Sequence, residues 1–387
     1  MAEPTVVVTR RGAERISGGH LWIYRSDVRS AQAASGDVVR VNDEQGRLVG
    51  RAFWSDRSQI ALRFLTRQDE PVDRAFFAAR LRAAAEYRQS VVEDTECFRL
   101  VYGEGDLLPS LIVDRYGDYL VVQTLSQGTD RRKEEFVSLL NEQFSPRGVL
   151  ERNDAKSRLL EGLPQTVSVL FGEIPTEAAV HMNGIAFQVD LRHGQKTGTF
   201  LDQRENYRAA EHYLRGEVLD CFCYQGGFAL HAARRADRVE AVEISAEALG
   251  YARRNAEFNA TSKITVREGN VFDVLKEYDQ AGRKFDAVIL DPPAFAKSRS
   301  AVEAACRGYK EINLRSLKLL RRGGVLVTCS CSYHVPESRF GEILWEAAVD
   351  VGADLRVIER RGGSRDHPPL LTVPETIYLK CFILSRL

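Results

Sequence analysis

Near its carboxyl end the chain reads Thr328-Cys329-Ser330-Cys331-Ser332-Tyr333-His334, directly after the apolar run Gly324-Val325-Leu326-Val327. That run reads as a buried strand, so both thiols are expected where a strand of a parallel sheet opens into a loop. Open α/β sheets hold their ligands at such ends. A thiolate there can add to carbon 6 of a pyrimidine and make carbon 5 nucleophilic enough to take a methyl group. Asp291-Pro292-Pro293-Ala294-Phe295 ends another apolar strand, Ala287-Val288-Ile289-Leu290. Two prolines stop a ladder and stiffen the loop beyond it, so Asp291 is expected to point rigidly into a cleft, where it can bond a pyrimidine's ring nitrogen or amino group. Neighbouring strands about 4.8 Å apart would set Asp291 and Cys329 across one planar ring. Cys329 is the expected nucleophile and Cys331 the alternative, and the sequence does not decide between them. The plainer readings are a rigid turn for Asp291 and, for a lone cysteine, a small buried apolar residue. The latter suits Cys97, Cys306 and Cys381.

A donor site is expected beside these groups. Asp220-Cys221-Phe222-Cys223-Tyr224-Gln225-Gly226-Gly227-Phe228 joins a strand to a helix. It is not the dinucleotide glycine pattern, but Gly226 and Gly227 would let a ligand approach the backbone. Asp220 would take an ammonium proton, and its plain alternative is a helix N-cap. Glu243 ends the next strand about twenty residues on, where such folds set a carboxylate against a ribose diol. Asn270 and Asp273 come after the third strand and can read an adenine amino group. Phe222 and Tyr224 complete this set. Lys196 and Thr197, in Gly194-Gln195-Lys196-Thr197-Gly198, read as a lid over the donor or a phosphate, or as a plain loop. Metal binding by Cys221/Cys223 with Cys329/Cys331 is disfavoured, because the two pairs would start roughly 10 Å apart.

The elements that would position these groups fall into three segments of the 387 residues. Residues 1–70 alternate as strands do, with one short helix over 10–18 ending at a glycine cap. Residues 71–180 read as α+β: a helix over 73–92, strands over 98–102, 110–116, 119–124 and 148–151, and a helix over 131–144. Residues 181–387 begin with a strand over 181–190 and then alternate strands and helices. That pattern predicts a doubly wound, mostly parallel α/β sheet.

Lys plus Arg and Asp plus Glu both count 54, so there is no basic excess overall. Locally, Lys297, Arg299, Arg307, Lys310, Arg315, Lys318, Arg321 and Arg322 face only Glu303 and Glu311. These residues read equally as a solvated helix face or as phosphate steering. The odd, irregular set of seven cysteines suits free thiols in a reducing cytoplasm. No apolar run is long enough to span a bilayer, and no membrane partner is expected.

Taken together, Gly194 to Gly198, Phe200-Leu201-Asp202-Gln203-Arg204, Asp291 to Phe295 and Thr328 to Ser332 resemble the bacterial and archaeal ribosomal RNA large-subunit methyltransferases of the RlmI type. The resemblance covers essentially the whole chain. It implies an S-adenosylmethionine-dependent enzyme with a Rossmann-like sheet that makes 5-methylcytosine in large-subunit ribosomal RNA. It also implies an N-terminal, β-barrel-like PUA domain for RNA binding and a central α+β linking domain. By the same resemblance Asp220, Tyr224, Gly226, Gly227, Glu243, Asn270 and Asp273 line the donor site, Asp291 faces the base, and a thiol of Thr328 to Ser332 attacks it. No metal is expected, and a homodimer is admitted among the partners. A second group of cytosine methyltransferases carries a cysteine directly after its Asp-Pro-Pro step, where this chain has Ala294. Two rival readings are an exocyclic-amino methyltransferase using Asp291-Pro292-Pro293, and an inactive RNA-binding accessory protein.

Overall fold

The computed structural model describes residues 3–296 and 298–387, which divide into two compact units. The first contains residues up to Val180 together with Val189–Thr199 and Arg365–Thr376. The second contains His181–Gln188, Phe200–Ser364 and Ile377–Leu387. The expected break at 180/181 is therefore only one of several crossings, because two later stretches return to the first unit.

The first unit carries two sheets. A six-stranded sheet has the order Trp22–Tyr24, Ile60–Thr66, Leu48–Trp54, Val38–Asp43, Thr5–Val8, Val28–Gln32. It buries Val6, Val8, Ile23, Val39, Val41 and Phe64 around Ile16 of the helix Arg10–Ser17. Gly18 caps that helix, and the left-handed residue is its neighbour Gly19, at φ 97°. The five-stranded sheet runs Thr166–Gly172, Gly148–Asn153, Tyr119–Thr124, Leu111–Tyr116, Cys97–Tyr102. The helices Arg74–Val91 and Lys133–Phe144 send Phe77 and Phe136 into one core, edge to face at 5.1 Å. The strand Thr166–Gly172 was not anticipated. It is an edge strand with mostly exposed side chains, so it lacks the apolar alternation that betrays a half-buried strand.

The single strand expected over 181–190 is a hairpin, Glu177–Met182 and Ile185–Asp190. Asn183 and Gly184, at φ 55° and 70°, make its turn, and an Asn-Gly pair is the residue choice such two-residue turns demand.

The second unit is built on seven strands: β1 (Glu217–Cys221), β2 (Arg238–Glu243), β3 (Ile264–Glu268), β4 (Phe285–Leu290), β5 (Leu320–Ser330), β6 (Leu355–Arg361) and β7 (Lys380–Arg386). Their order is β3-β2-β1-β4-β5-β7-β6. The first five are parallel, while β7 lies antiparallel between β5 and β6. The crossover helices are α1 (Gly227–Ala233), α2 (Ala246–Phe258), α3 (Val271–Gln280), α4 (Val302–Leu319) and α5 (Glu337–Asp350). Val218, Leu219, Val288, Ile289, Leu326 and Val327 are all buried, as strands covered on both faces must be. Successive crossovers run outward in opposite directions from β1 and β4, so the crevice between those two strands is the expected ligand site.

One difference bears directly on chemistry. β5 does not end with its apolar run at Val327 but continues to Ser330, because β7 extends the ladder by pairing Cys329 with Cys381 and Ser330 with Lys380. Cys329 is therefore inside the sheet, and Cys331 is the first residue beyond it.

Candidate active site

Asp220, the fourth residue of β1, is 1% exposed. Neither carboxyl oxygen has a hydrogen-bond partner. The next helix is capped by Gly226, so capping does not explain the aspartate. Burial holds this carboxyl well above the usual carboxylate range, and the charge of Asp291 adds to the effect. A buried carboxyl with both oxygens unanswered is rare in folded proteins, and an incoming cation would relieve it.

The loop after β1 is tightly wound. Phe222 (φ 63°) and Tyr224 (φ 48°) occupy the left-handed region, which costs on the order of 1–3 kcal/mol per non-glycine residue. Hydrogen bonds hold them there: Cys223 N–H to Val242 O at 3.1 Å, Gly226 N–H to Cys223 O at 2.8 Å, and Tyr224 N–H to Glu243 Oε2 at 3.1 Å. Glu243 Oε1 accepts from Ile244 and Ser245 N–H at 2.9 and 3.1 Å. The two glycines serve different ends. Gly226 adopts φ 87°, whereas a Cβ on Gly227 would sit 2.5 Å from the Tyr207 ring. Gly227 is thus needed for packing against that ring. Asn270 caps α3, accepting from Phe272 N–H at 2.9 Å, and Asp273 lies exposed in the first turn of that helix.

Lys196 and Thr197 belong to the first unit. Thr197 is buried there: its hydroxyl donates to Asp114 Oδ2 at 2.6 Å and lies 3.0 Å from Tyr116 Oη. Arg99 grips the same Asp114 through two 2.8 Å bonds.

Asp291 comes directly after β4, and its Oδ1 accepts from Gln203 Nε2 at 2.8 Å. Gln203 is itself held by Asn206 Nδ2 at 2.7 Å, and Asn206 by Arg361 Nε at 2.9 Å. The two thiols differ sharply. Cys329 is 0% exposed, and burial together with neighbouring Cys381 pushes its thiol well up, with Asp291 adding to this. Cys331 is the one cysteine of the seven that is not buried, and all seven lie among the described residues. Its Sγ lies 3.8 Å from the carbonyl oxygen of Pro292. The thiol loop is braced from below by Ser332, whose hydroxyl accepts from Ala296 N–H at 3.1 Å and meets Tyr309 Oη at 2.9 Å.

Half of the basic cluster is spent in ion pairs inside the molecule. Lys310 pairs with Glu346 and Asp350, Arg315 with Glu311 and Asp279, Lys318 with Asp279, and Arg321 with Glu217 and Asp286. The solvated helix face is the better account of these four, while Lys297 lies outside the described residues. Sequence reasoning did not single out Gln203 or Lys380. Gln203 stood within the Phe200–Arg204 motif, and Lys380 is a lone lysine in an otherwise apolar run, Leu379 to Leu384.

Residues 6–67 match a PUA-like domain, and residues 164–378 match the S-adenosylmethionine-dependent methyltransferase family. A Shewanella amazonensis protein named ribosomal RNA large subunit methyltransferase I is 41% identical over 93% of this chain and 94% of its own length. This chain belongs to the ribosomal RNA large subunit methyltransferase I family. A second member of that name, from Tolumonas auensis, is 37% identical over 99% of both chains. Among solved structures, a protein assigned as a methyltransferase and complexed with SAH has a TM-score of 0.86 at 19% identity, covering 99% of this chain and 100% of that one. One from Streptococcus mutans, assigned as SAM-dependent, has a TM-score of 0.84 at the same identity and coverage. At 19% identity these two neighbours support the fold alone.

Membership brings S-adenosylmethionine as cofactor, and the residues present fit it. Its α-ammonium is the kind of partner the two unanswered oxygens of Asp220 lack, and the strained loop from Phe222 to Gly226 begins two residues after that carboxyl.

Proposed function

We propose that the protein methylates carbon 5 of a cytosine in large-subunit ribosomal RNA, with Cys331 as the attacking thiol. The observation that carries the reading is the placement of Cys331 as the only unburied thiol, one residue past β5 and against Pro292 of the Asp291-Pro292-Pro293 step. S-adenosylmethionine, when bound, supplies an electrophilic methyl group on a sulfonium. Asp220 holds the donor's ammonium, and Glu243 keeps the loop around it in shape through Tyr224 N–H. The Cys331 thiolate adds to carbon 6 of the base, so that the ring's electron pair becomes available at carbon 5. Asp291, aimed by Gln203, bonds the ring nitrogen or amino group and steadies the adduct. After transfer the carbon-5 proton departs and the carbon–sulfur bond breaks, which returns the thiolate. Cys329 fits a buried packing partner of Cys381 better than a nucleophile.

The amino-methyltransferase alternative needs an aromatic ring after the prolines to stack on the base. Phe295 instead packs inward, 4.7 Å from the Tyr309 ring and 5.9 Å from Phe272. The test uses RNA carrying 5-fluorocytidine, which blocks loss of the carbon-5 substituent. A covalent protein–RNA adduct mapped to Cys331, together with 5-methylcytidine from normal RNA, is the expected result. A methylated exocyclic amine would overturn the reading.

A further inference from the structure

A thiol attacks only as its anion, and a free cysteine is mostly protonated at neutral pH. Several groups near Cys331 among the described residues are acidic. Asp291 stands one residue before Pro292, whose carbonyl the Cys331 sulfur meets. Tyr309 of α4 feels the Cys331 charge, and Glu337 opens α5. Cys329 lies on β5 and Cys381 on β7. None of these is a cation.

Lys380 is one. It begins β7 directly opposite Ser330 in the antiparallel ladder, and it is 4% exposed. Its ammonium donates to Ser332 O at 2.7 Å and to Tyr378 O at 2.8 Å. It is therefore pinned to the carbonyl of the residue immediately after Cys331, with one N–H left over. Burying an ammonium without a carboxylate is costly, and no salt bridge offsets it among the described residues. Burial lowers this lysine to about 8, and the Cys331 and Glu337 charges work in the opposite direction.

We propose that the Lys380 ammonium is the fixed counter-charge of the Cys331 sulfur, a positioning residue that holds the thiol in its anionic form at the mouth of β5. No redox change is involved: the S–H bond breaks, the proton leaves to solvent, and the sulfur keeps the electron pair beside the cation. The two carbonyl bonds keep the ammonium in place, so that it need not be recruited when RNA arrives. The inference rests on Cys331 being the nucleophile.

The experiment tracks the rate of iodoacetamide alkylation of Cys331 against pH, read by peptide mass spectrometry on the full-length protein. Lys380→Met should move the midpoint up by about one unit or more, as expected for loss of an opposite charge nearby. Lys380→Arg should bring it at least part of the way back. Methyl transfer by Lys380→Met should fall at least tenfold at pH 7 and recover partly at higher pH. An unmoved midpoint in a Lys380→Met protein with wild-type near-ultraviolet dichroism would overturn the proposal, as would equal shifts in the Met and Arg variants. If Met does not fold, Lys380→Gln takes its place with the same criteria. Failure of the nucleophile reading is distinguishable: the 5-fluorocytidine adduct would then map to another residue, whatever the alkylation profile shows.

Discussion

Gln203 donates its side-chain amide to Asp291 Oδ1 at 2.8 Å across 88 residues of sequence. Its own side-chain carbonyl is held by Asn206, so the carboxylate proposed to face the base is aimed by a fixed donor. Gln203→Leu keeps the volume but frees Asp291. The expected cost is about 1–1.5 kcal/mol of alignment, roughly a tenfold fall in kcat, with donor affinity little changed. Single-turnover methyl transfer and donor calorimetry separate the two effects. An equal loss in both would sink the assignment.

Asp220 has the opposite character, since no side chain bonds either of its oxygens. Asp220→Asn should raise the donor Kd by about 2–3 kcal/mol, roughly 30- to 150-fold. A second consequence concerns protons. This buried carboxyl sits well above its usual range, and an arriving ammonium favours its charged form. Donor binding should therefore release a proton and weaken as pH falls. Calorimetry in two buffers of different ionisation enthalpy would detect this release in the wild type and not in Asp220→Asn.

The two neighbouring cysteines should part company under mutation. Cys331→Ala is expected to abolish methyl transfer and leave donor binding intact. Cys329→Ala removes a buried sulfur from the β5–β7 ladder and should lower stability by about 1 kcal/mol while retaining activity. A tritiated-methyl assay with thermal melts reads both, and full activity in Cys331→Ala would reverse the assignment.

His231 of α1 gives a pH signature in stability. It is fully buried, its Nδ1 donates to Gly227 O at 2.8 Å, and Nε2 accepts from Asn183 Nδ2 at 3.1 Å. Both bonds are met by the neutral ring, and burial lowers its pKa from 6.5 to about 4. The folded value lies below the unfolded one, so the unfolded chain takes up the proton first as pH falls. The contribution is complete above 6.5 and is lost between 6.5 and 4, up to about 3 kcal/mol. Urea titrations at about pH 7 and pH 4.5 should show a smaller difference for His231→Gln than for wild type.

Gly227→Ala tests the packing role of the second loop glycine. The added methyl would meet the Tyr207 ring at 2.5 Å, a clash expected to cost about 1–3 kcal/mol. A melting temperature within a degree of wild type would show that the ring yields instead.

The central parallel strands of the sheet were legible because they are apolar on both faces: the run Ala287–Leu290 lies within β4, and all four of its residues are buried. Asp220 and Asp291 stood out for the same reason, as charges standing where such runs end. The antiparallel β6 and β7 were not anticipated, so Cys329 was expected at the open end of β5 although the ladder with β7 encloses it. A strand's end depends on what pairs beside it, and the Cys329–Cys381 and Ser330–Lys380 pairings join residues some fifty positions apart. The roles of Gln203 and Lys380 depend on equally distant partners, which residue spacing does not encode. The Asn183-Gly184 turn, by contrast, was visible in the residues and was passed over.

The division of the chain has a practical corollary. Each unit is assembled from three separate stretches, since 189–199 and 365–376 return to the first while 181–188 and 377–387 serve the second. No single cut in the polypeptide releases either unit whole. A fragment beginning at residue 200 would lack both strands of the hairpin, including the 181–188 stretch of its own unit, and carry a twelve-residue loop that belongs elsewhere. Gene fusions and truncations that treat the methyltransferase half as a detachable cassette should accordingly give poorly folded products.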